Sequence, residues 1–423
     1  MERHEMEKGR CSKVTSKIAL LLGLIISSWV LSGCADRLEI EEEGFVIVIG
    51  LDAPSVGKRG FDVTYQIANP VAGPKSDDIK EEKTITLTAP DAISGRDLVN
   101  ASETRNINFY HTKAIVVSEE LARSRHFFEI ISSLMRDRQI RRDMYLIVSK
   151  EKASDYLRNN ASAFESSPHK FYDYMSRRWE TNAMSPRSTL HTFIHDTQAD
   201  AGLSLAIYTT AKQEAPKEDP NEDDFYPGQI NKQGGTQVQI IGSAVFKNGK
   251  MIGALTGEET RLTAVLRDDK KPRKIFFTFP DPLDDHFRIT GRAKNIQTVV
   301  KANIDGTAPR ILVEEWMDIG IVYIPSMVNY VENLQKQKVL KKSLEKNLEQ
   351  QSEKLIEKTQ NEYKAEPFYW SVTARKEFVT IDDYVKYNWM KSYPNANIKV
   401  KYHVKLDSFG KQLRPEKLEK IKD

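Results

Sequence analysis

The alternation of apolar and polar positions after residue 43 predicts a body of β-strands with helices between them. The run GFVIVIGLD at residues 44–52 is rich in β-branched residues and bounded by glycines, which is typical of a buried strand. Apolar residues spaced three and four apart predict helices instead. On this basis the first half has strands at 44–52, 61–68, 84–88, 113–117 and 144–148, and helices at 91–102, 119–136 and from 152.

The second half has a hairpin, further strands and one long helix. Asn248-Gly249 separates two apolar runs, and this dipeptide favours the positive φ angles of a two-residue hairpin turn. Ser326 is predicted to cap a helix that runs to about Ala365, with sparse apolar positions among Lys, Glu and Gln. The remaining strands are predicted at 276–279, 287–290, 298–304 and 398–406.

These elements predict an α+β fold. We expect tandem domains, each a mixed or antiparallel β-sheet with surrounding helices, plus one long helix in the C-terminal half. Residues 212–236 are rich in Pro, Gly and acidic residues, a composition that buries little apolar surface, so they are predicted to form a linker or long loop. This segment would separate an N-terminal region at 34–211 from a C-terminal region at 237–423, and a subdivision near residue 283 would give three domains in all.

Residues 1–33 have the features of an export signal. A polar, basic segment precedes the apolar run 18–30, which is shorter than the ~20 residues that cross a membrane as a helix. Leu31-Ser32-Gly33-Cys34 then matches a bacterial lipobox, in which small residues admit the peptidase and the cysteine thiol accepts a diacylglycerol. We predict cleavage between Gly33 and Cys34, with S-diacylglycerol and N-acyl groups on Cys34; an uncleaved signal anchor is the alternative.

Composition excludes several classes of function. The chain of 423 residues has 63 Lys and Arg against 60 Asp and Glu, and a charge this close to neutral gives little support to nucleic-acid binding. Cys11 and Cys34 are the only cysteines, too few for a disulfide framework or a thiolate zinc site. Hydrophobic residues at 39% and charged residues at 29% suit a globular body rather than a membrane-spanning bundle.

Three kinds of residue group are candidates for a catalytic or metal site. His191 and His195 have the i, i+4 spacing of helical metal ligands, but they lack the glutamate of a zincin and an evident third ligand. Two carboxylate pairs, Asp223-Asp224 and Asp284-Asp285, are better explained as solvated charges in loops. A basic cluster is better explained as a salt-bridged helix end, and it consists of Arg136, Arg138, Arg141 and Arg142. We therefore predict no catalytic, cofactor-binding or metal-binding residue and no enzyme activity.

A series of short motifs runs through most of the chain behind the lipobox. They are LSGCADRLEI at 31–40, GLD at 50–52, HTKAIVVSEELA at 111–122, Arg136-Asp137 before Tyr145, GSAVFK at 242–247, Gly253, Glu258-Glu259-Thr260, Thr359-Gln360, Trp389 and Gly410. In this order they resemble the Ger(x)C lipoproteins, the C subunits of spore germinant receptors in endospore-forming bacteria. Two segments depart from the family pattern: Ala35-Asp36 replaces Trp-Asp, and residues 365–370 replace a glycine-rich Asp-x-Phe-Gly-Phe-Gly.

The resemblance implies a non-enzymatic receptor subunit without a cofactor, lipid-anchored on the outer face of the spore inner membrane. Such a subunit would work with a polytopic A subunit and a transporter-like B subunit to convert nutrient sensing into germination. The resemblance also implies three tandem domains, each a β-sheet with surrounding helices.

Two other classes of lipoprotein remain as alternatives. A solute-binding lipoprotein of a transporter would need two lobes of repeated βαβ units with a cleft at the strand ends, and the hairpin at Asn248-Gly249 argues against it. A cell-wall hydrolase would need an acid/base or metal set that the sequence does not provide.

Overall fold

The computed structural model of the protein describes residues 17, 39–55, 59–68, 82–160, 164–165, 168–199, 202–215, 224–267, 274–304 and 308–411. Residues up to Glu43 belong to one unit, and the chain from Gly44 onward forms a second unit with two mixed β-sheets. Helices pack on both sheets. The predicted α+β fold is confirmed.

The first sheet contains nine strands and takes strands from both halves of the chain. Its order is β3-β2-β1-β5-β6-β7-β8-β9, with β4 also paired to β1. The central strands β1, β5, β6 and β7 are parallel neighbours, and the outer strands pair antiparallel. The strands are β1 (Glu43–Asp52), β2 (Phe61–Ala68), β3 (Glu82–Ala89), β4 (Asn106–Asn108), β5 (Ala114–Ser118), β6 (Tyr145–Ser149), β7 (Leu203–Thr210), β8 (Gln239–Lys247) and β9 (Lys250–Leu255).

Helices of the first half cover both faces of this sheet, because buried apolar clusters lie on each side of it. Asp91 caps the first helix as predicted, since its carboxylate accepts the amides of Ile93 and Ser94. The single helix predicted at 119–136 is wrong: a turn interrupts it, and this lets Leu121 and Phe127 enter the same core. The helices are α1 (Ala92–Asn100), α2 (Glu119–Ala122), α3 (Phe127–Leu134), α4 (Ala153–Asn159), α5 (Pro168–Asn182) and α6 (Leu190–Gln198).

The predicted hairpin joins β8 to β9. Asn248 and Gly249 form its turn, with φ angles of 51° and 74°. Gly249 also faces Phe128, and a Cβ atom at this position would lie 2.4 Å from the Cβ atom of Phe128. Glycine at this turn therefore satisfies both the backbone conformation and the packing.

The second sheet has four strands in the order β10-β11-β12-β13. Only β12 and β13 are parallel, and a long helical crossover connects them. The strands are β10 (Ile275–Pro280), β11 (Arg288–Asn303), β12 (Arg310–Tyr323) and β13 (Asn397–Ser408), and α7 (Gly257–Leu266) precedes them. The crossover consists of α8 (Leu334–Lys358), a π-helical turn (Thr359–Tyr363), α9 (Trp370–Arg375), α10 (Ile381–Tyr387) and α11 (Trp389–Ser392).

The long helix α8 lies along one face of the second sheet. The predicted cap at Ser326 is wrong: Asn333 accepts the first free amides of α8, and the Ser326 hydroxyl donates to Asp281 instead, at 2.5 Å. The apolar positions of α8 face the core that it shares with the sheet. They are Leu340, Leu344, Leu348, Leu355 and Ile356.

The segment predicted as a linker lies between two paired strands. β7 and β8, on either side of it, are antiparallel neighbours in the first sheet. Its described parts, 212–215 and 224–238, hold no helix or strand, and the Gln239 side chain accepts the amides of Gly228 and Ile230. The domain boundaries at 211 and 237 stay a prediction.

Candidate functional site

The predicted lipidation site lies outside the described residues. Gly33 and Cys34 precede residue 39, so cleavage and acylation stay predictions. Within the ranges that the structure describes, no helix combines the length and apolar character needed to cross a bilayer.

The two histidines considered as metal ligands lie on the exposed side of α6. Their ring centroids are 6.3 Å apart, and Nδ1 of His195 is 3.1 Å from Oδ1 of Asp196. Neither histidine belongs to a cluster of three metal-ligating side chains in the described part of the chain.

The acidic pair Asp284-Asp285 lies in the turn between β10 and β11. Nδ1 of the exposed His286 is 3.3 Å from a carboxylate oxygen of each aspartate. This is the one described group of three side chains with metal-ligand geometry, and exposed charges arranged in this way form a solvated turn. Asp223 lies outside the described residues, and Asp224 is the first residue of the described range 224–267.

The arginine cluster follows α3 on the surface. Arg141 pairs with Asp143 through hydrogen bonds of 2.9 and 2.5 Å, and this pairing lowers the pKa of the Asp143 carboxyl. Arg136, Arg138 and Arg142 are exposed. The carbonyl of Arg142 accepts the amide of His191 at 3.0 Å, so this cluster adjoins the start of the helix that carries the two histidines.

The motif residues of the first half hold the fold together. Asp52 accepts the amides of Ala153 at 2.7 Å and Ser154 at 3.0 Å, so it caps α4 from the end of β1. The Thr112 hydroxyl donates to the carbonyl of Val46 at 2.9 Å. These residues position strands and helices rather than forming a reactive site.

The motif residue Glu259 lies in a half-buried ion-pair cluster, which we call the junction cluster: Tyr226, Glu259, Lys358 and Tyr363. Nζ of Lys358 lies 2.9 and 2.8 Å from the two carboxylate oxygens of Glu259. It is also 6.0 Å and 5.9 Å from the ring centroids of Tyr226 and Tyr363. The cluster thus joins the start of α7, the end of α8 and the loop before β8.

The electrostatics of the junction cluster stabilise a charged lysine. Burial opposes that charge, but the Glu259 carboxylate and its hydrogen bonds raise the pKa of Lys358 above its ordinary value. Burial raises the pKa of Tyr363 to about 12, so this tyrosine stays neutral and donates to the Ala254 carbonyl at 2.9 Å. Gly253 packs against the Tyr363 ring, where a Cβ atom would lie 2.7 Å from it.

The π-helical turn after α8 is fixed by side-chain hydrogen bonds. The hydroxyls of Thr359 and Tyr393 are 2.6 Å apart. The Gln360 amide nitrogen donates to the carbonyls of Tyr393 at 3.0 Å and Ala396 at 2.9 Å. Thr359 and Gln360 therefore set where the chain turns back toward β13.

The segment that departs from the family pattern is deeply buried. Glu366, Phe368 and Trp370 have no exposed surface, and the two aromatic rings stack with centroids 4.4 Å apart. Tyr369 has a φ angle of 63°, the left-handed region that glycine favours, and its hydroxyl donates to Asp196 at 2.6 Å. An aromatic side chain thus occupies a backbone conformation that glycine favours.

Glu366 is one of several buried ionisable residues in the described part of the chain, and the sequence did not reveal its burial. Its carboxylate accepts the amides of Phe368 at 2.5 Å and Ser371 at 2.9 Å. Burial nevertheless raises its pKa to about 7. Its backbone carbonyl accepts the amide of Leu203 at the start of β7, at 3.2 Å, so this loop links the two sheets. No local pattern distinguishes this glutamate from solvated ones.

Two family models and two known proteins match this chain, and together these matches cover most of its length. The family model described as "Spore germination protein N-terminal domain" matches residues 36–210, and "Spore germination B3/ GerAC like, C-terminal" matches residues 241–410. The chain is 22% identical to spore germination protein B3 of Bacillus subtilis (strain 168) over 420 residues, which is 94% of this chain and 99% of that protein. It is 25% identical to spore germination protein A3 of the same organism over 142 residues, 33% of this chain and 38% of that protein.

A crystal structure of the GerBC protein has a similar fold. It matches with a TM-score of 0.50 and 17% sequence identity, covering 86% of this chain and 99% of that one. The two family models together account for the motifs on both sheets. The chain therefore belongs to the GerAC/GerBC-like family of spore germination proteins, the C subunits of germinant receptors.

Proposed function

We propose that this protein is a lipid-anchored subunit of a spore germinant receptor that acts through protein–protein contacts and catalyses no reaction. The observation that carries the proposal is the family match, which extends from residue 36 to residue 410 across both sheets. Its partners would be the polytopic A and B subunits of the receptor, and its location the outer face of the spore inner membrane.

The buried polar residues of the motifs support a contact function. They cap helices, fix the π-helical turn and contribute Glu259 to the junction cluster, and each of these tasks is structural. A partner would therefore contact the surface of the fold rather than react in a pocket.

The lipid anchor supports the same function by physical chemistry. Two or three acyl chains, at about 0.8 kcal/mol per buried methylene, hold a protein on a membrane. Tethering raises the local concentration, so a modest interface suffices there even if it is weak in solution.

The anchor is tested by substituting each cysteine of the precursor. Cys34→Ala should give an unacylated chain, whereas Cys11→Ala, in the segment predicted to be removed, should leave acylation intact. Mass spectrometry of the mature N-terminus reads both outcomes. An unmodified Cys34 on a membrane-bound, full-length chain would overturn the anchor.

The receptor role is tested by germination of spores. Deletion should abolish germination through one nutrient receptor while growth, sporulation and germination by receptor-independent triggers stay intact. Restoring the Cys34→Ala form at equal abundance should rescue germination poorly. Normal germination of the deletion strain with every nutrient mixture, or a nutrient-uptake defect in growing cells, would favour the solute-binding class instead.

A further inference from the structure

One face of the second sheet is covered by α8 and the other is exposed. Along β13, Val400, Tyr402 and Val404 are buried against the core, and the alternate residues point outward. The register places these outward residues beside the outward residues of β12 and β11. We call this surface the open face, defined by Lys301, Arg310, Trp316, Lys399, Lys401 and Lys405.

The open face carries an excess of positive charge. Two of its acidic groups are ion-paired: Glu314 lies 3.0 Å from Lys301 and 3.5 Å from His403, and Asp407 lies 2.7 Å from Lys294. A third, Asp318, accepts the side-chain amide of Asn295 at 2.7 Å. In contrast, Lys399, Lys401 and Lys405 are exposed, with no carboxylate within ion-pair distance in the described part of the chain. Arg310 at the start of β12 is likewise exposed and unpaired there.

Trp316 lies among these basic residues. Its side chain is 37% exposed and stacks on His403 with ring centroids 4.8 Å apart. The other tryptophans of the described residues, Trp179, Trp370 and Trp389, are buried. An exposed tryptophan surrounded by lysines is the side-chain combination that prefers the interface between lipid headgroups and water.

The edge of β13 is closed to another strand. The outward amide of Val404 donates to the Glu345 carboxylate at 2.9 Å, and that of Tyr402 donates to Glu349 at 3.2 Å. Both glutamates come from α8, one turn apart. Since strand addition needs free edge amides, these two glutamates oppose the addition of a strand at this part of the β13 edge.

We propose that the open face binds an anionic lipid surface and orients the protein on the membrane. The inference rests on the lipid-anchored location proposed above and goes beyond it, because the acyl chains alone set no orientation. Lysine ammonium groups are compact point charges on flexible side chains, so they can follow several anionic headgroups without requiring one fixed geometry. At ~3.3 Å per residue, Lys399 and Lys405 span about 20 Å, which is the width of several headgroups.

The net charge of the chain gives no indication of this basic surface. Basic and acidic residues nearly balance, 63 to 60, yet alternation along β13 sends the lysines outward while apolar residues face the core. When the chain is held close to the membrane, each lysine that reaches an anionic surface adds favourable binding free energy.

The test uses a chain beginning at residue 35, which lacks the signal and the lipid but retains all of the unit from Gly44 onward. Sedimentation with vesicles of phosphatidylglycerol and phosphatidylcholine should show binding that is absent with phosphatidylcholine alone and lost at high salt. The triple variant Lys399→Gln, Lys401→Gln, Lys405→Gln should bind about 100-fold more weakly, since each lysine near such a surface contributes about a fivefold effect.

A matched control changes the same charge elsewhere. Lys338, Lys342 and Lys346 are exposed on α8, the helix that covers the opposite face. Their triple substitution to glutamine should leave vesicle binding within about twofold, with unfolding curves confirming that both variants fold. In addition, lipid-borne quenchers should reduce the fluorescence of Trp316, and Trp316→Phe should remove that change.

Three results would overturn the proposal: equal loss of binding in both triple variants, equal binding to neutral and anionic vesicles, or no vesicle binding by the parent chain. If the parent chain does not bind vesicles but spores with the β13 triple variant fail to germinate, the open face contacts an acidic protein surface instead. Acylation of Cys34 is measured separately, by mass spectrometry of the full-length protein. An unmodified Cys34 there would reject the anchor, whereas binding of anionic vesicles by the chain from residue 35 would still support the open face.

Discussion

The two sheets of this protein are built from strands of opposite character. In β5, at the centre of the first sheet, all five residues are buried, because cores lie on both faces. In β13, at the edge of the second sheet, buried and exposed residues alternate. The contrast shows that the number of covered faces determines strand composition: parallel central strands need apolar residues throughout, and a sheet with one free face needs them at every second position.

The same contrast separates structural from contact functions. Where helices cover both faces of a sheet, a partner can contact those helices and the loops but not the faces of the sheet. The second sheet leaves one face, the open face, accessible to a partner. The loop containing Glu366 and the junction cluster connect the two sheets. Substitutions in each region therefore have different expected effects.

The largest expected effect is at Glu366, where the sheets are linked. Burial raises its pKa to about 7, above the ordinary value of 4.5 that it has when unfolded. Between these values the folded state retains a proton that the unfolded state has released, so the free energy of unfolding falls as the pH rises, by about 3 kcal/mol in total. Glu366→Gln removes this titration, so relative to the parent it should become more stable by that amount between pH 4.5 and 8.

Urea unfolding of the parent and the Glu366→Gln variant at several pH values measures this difference. Asp284→Asn, at an exposed turn of the second sheet, serves as the control that removes one carboxyl without removing a buried one. Parallel pH curves for the parent and the Glu366→Gln variant would show that Glu366 does not titrate in this range.

The second prediction compares one substitution in the two sheets. Val116 in β5 is completely buried, and Val299 in β11 is 42% exposed on the uncovered side. Val116→Ala should lower the free energy of unfolding by about 2 kcal/mol, from lost burial and the cavity left behind. Val299→Ala should change it by less than about 0.5 kcal/mol. Chemical denaturation measures both, and equal losses would mean that the second sheet is covered on both faces.

The smallest expected effect is at the edge of β13. Glu345→Ala removes the acceptor for the Val404 amide and should lower the free energy of unfolding by about 1 kcal/mol. Hydrogen exchange at Val404 should become faster than in the parent. Glu353→Ala, at an exposed position two turns further along α8, should alter neither quantity. Unchanged exchange at Val404 in the Glu345→Ala variant would show that this carboxylate does not protect the edge.

Local patterns predicted much of the fold and little of the buried polar structure. The hairpin at Asn248-Gly249 and the cap at Asp91 were predictable because neighbouring residues alone determine them. The Ser326 cap failed because Asp281, distant in the chain, binds that hydroxyl instead. The candidate His191 and His195 share a helix face, but whether a third ligand joins them depends on what packs nearby.

The sequence by itself predicted most strands of the first sheet, the α+β class and the motif order that identifies the family, because periodicity and turn chemistry act over a few residues. It did not predict β7 or β12, and it divided β11 into two strands. Only the tertiary structure decided that Lys358 pairs with Glu259, that Glu366 is buried, and that the lysines of β13 lie on an uncovered face. Each of these depends on contacts between segments far apart in the chain. Burial and charge pairing are set by those contacts, and no local pattern records them.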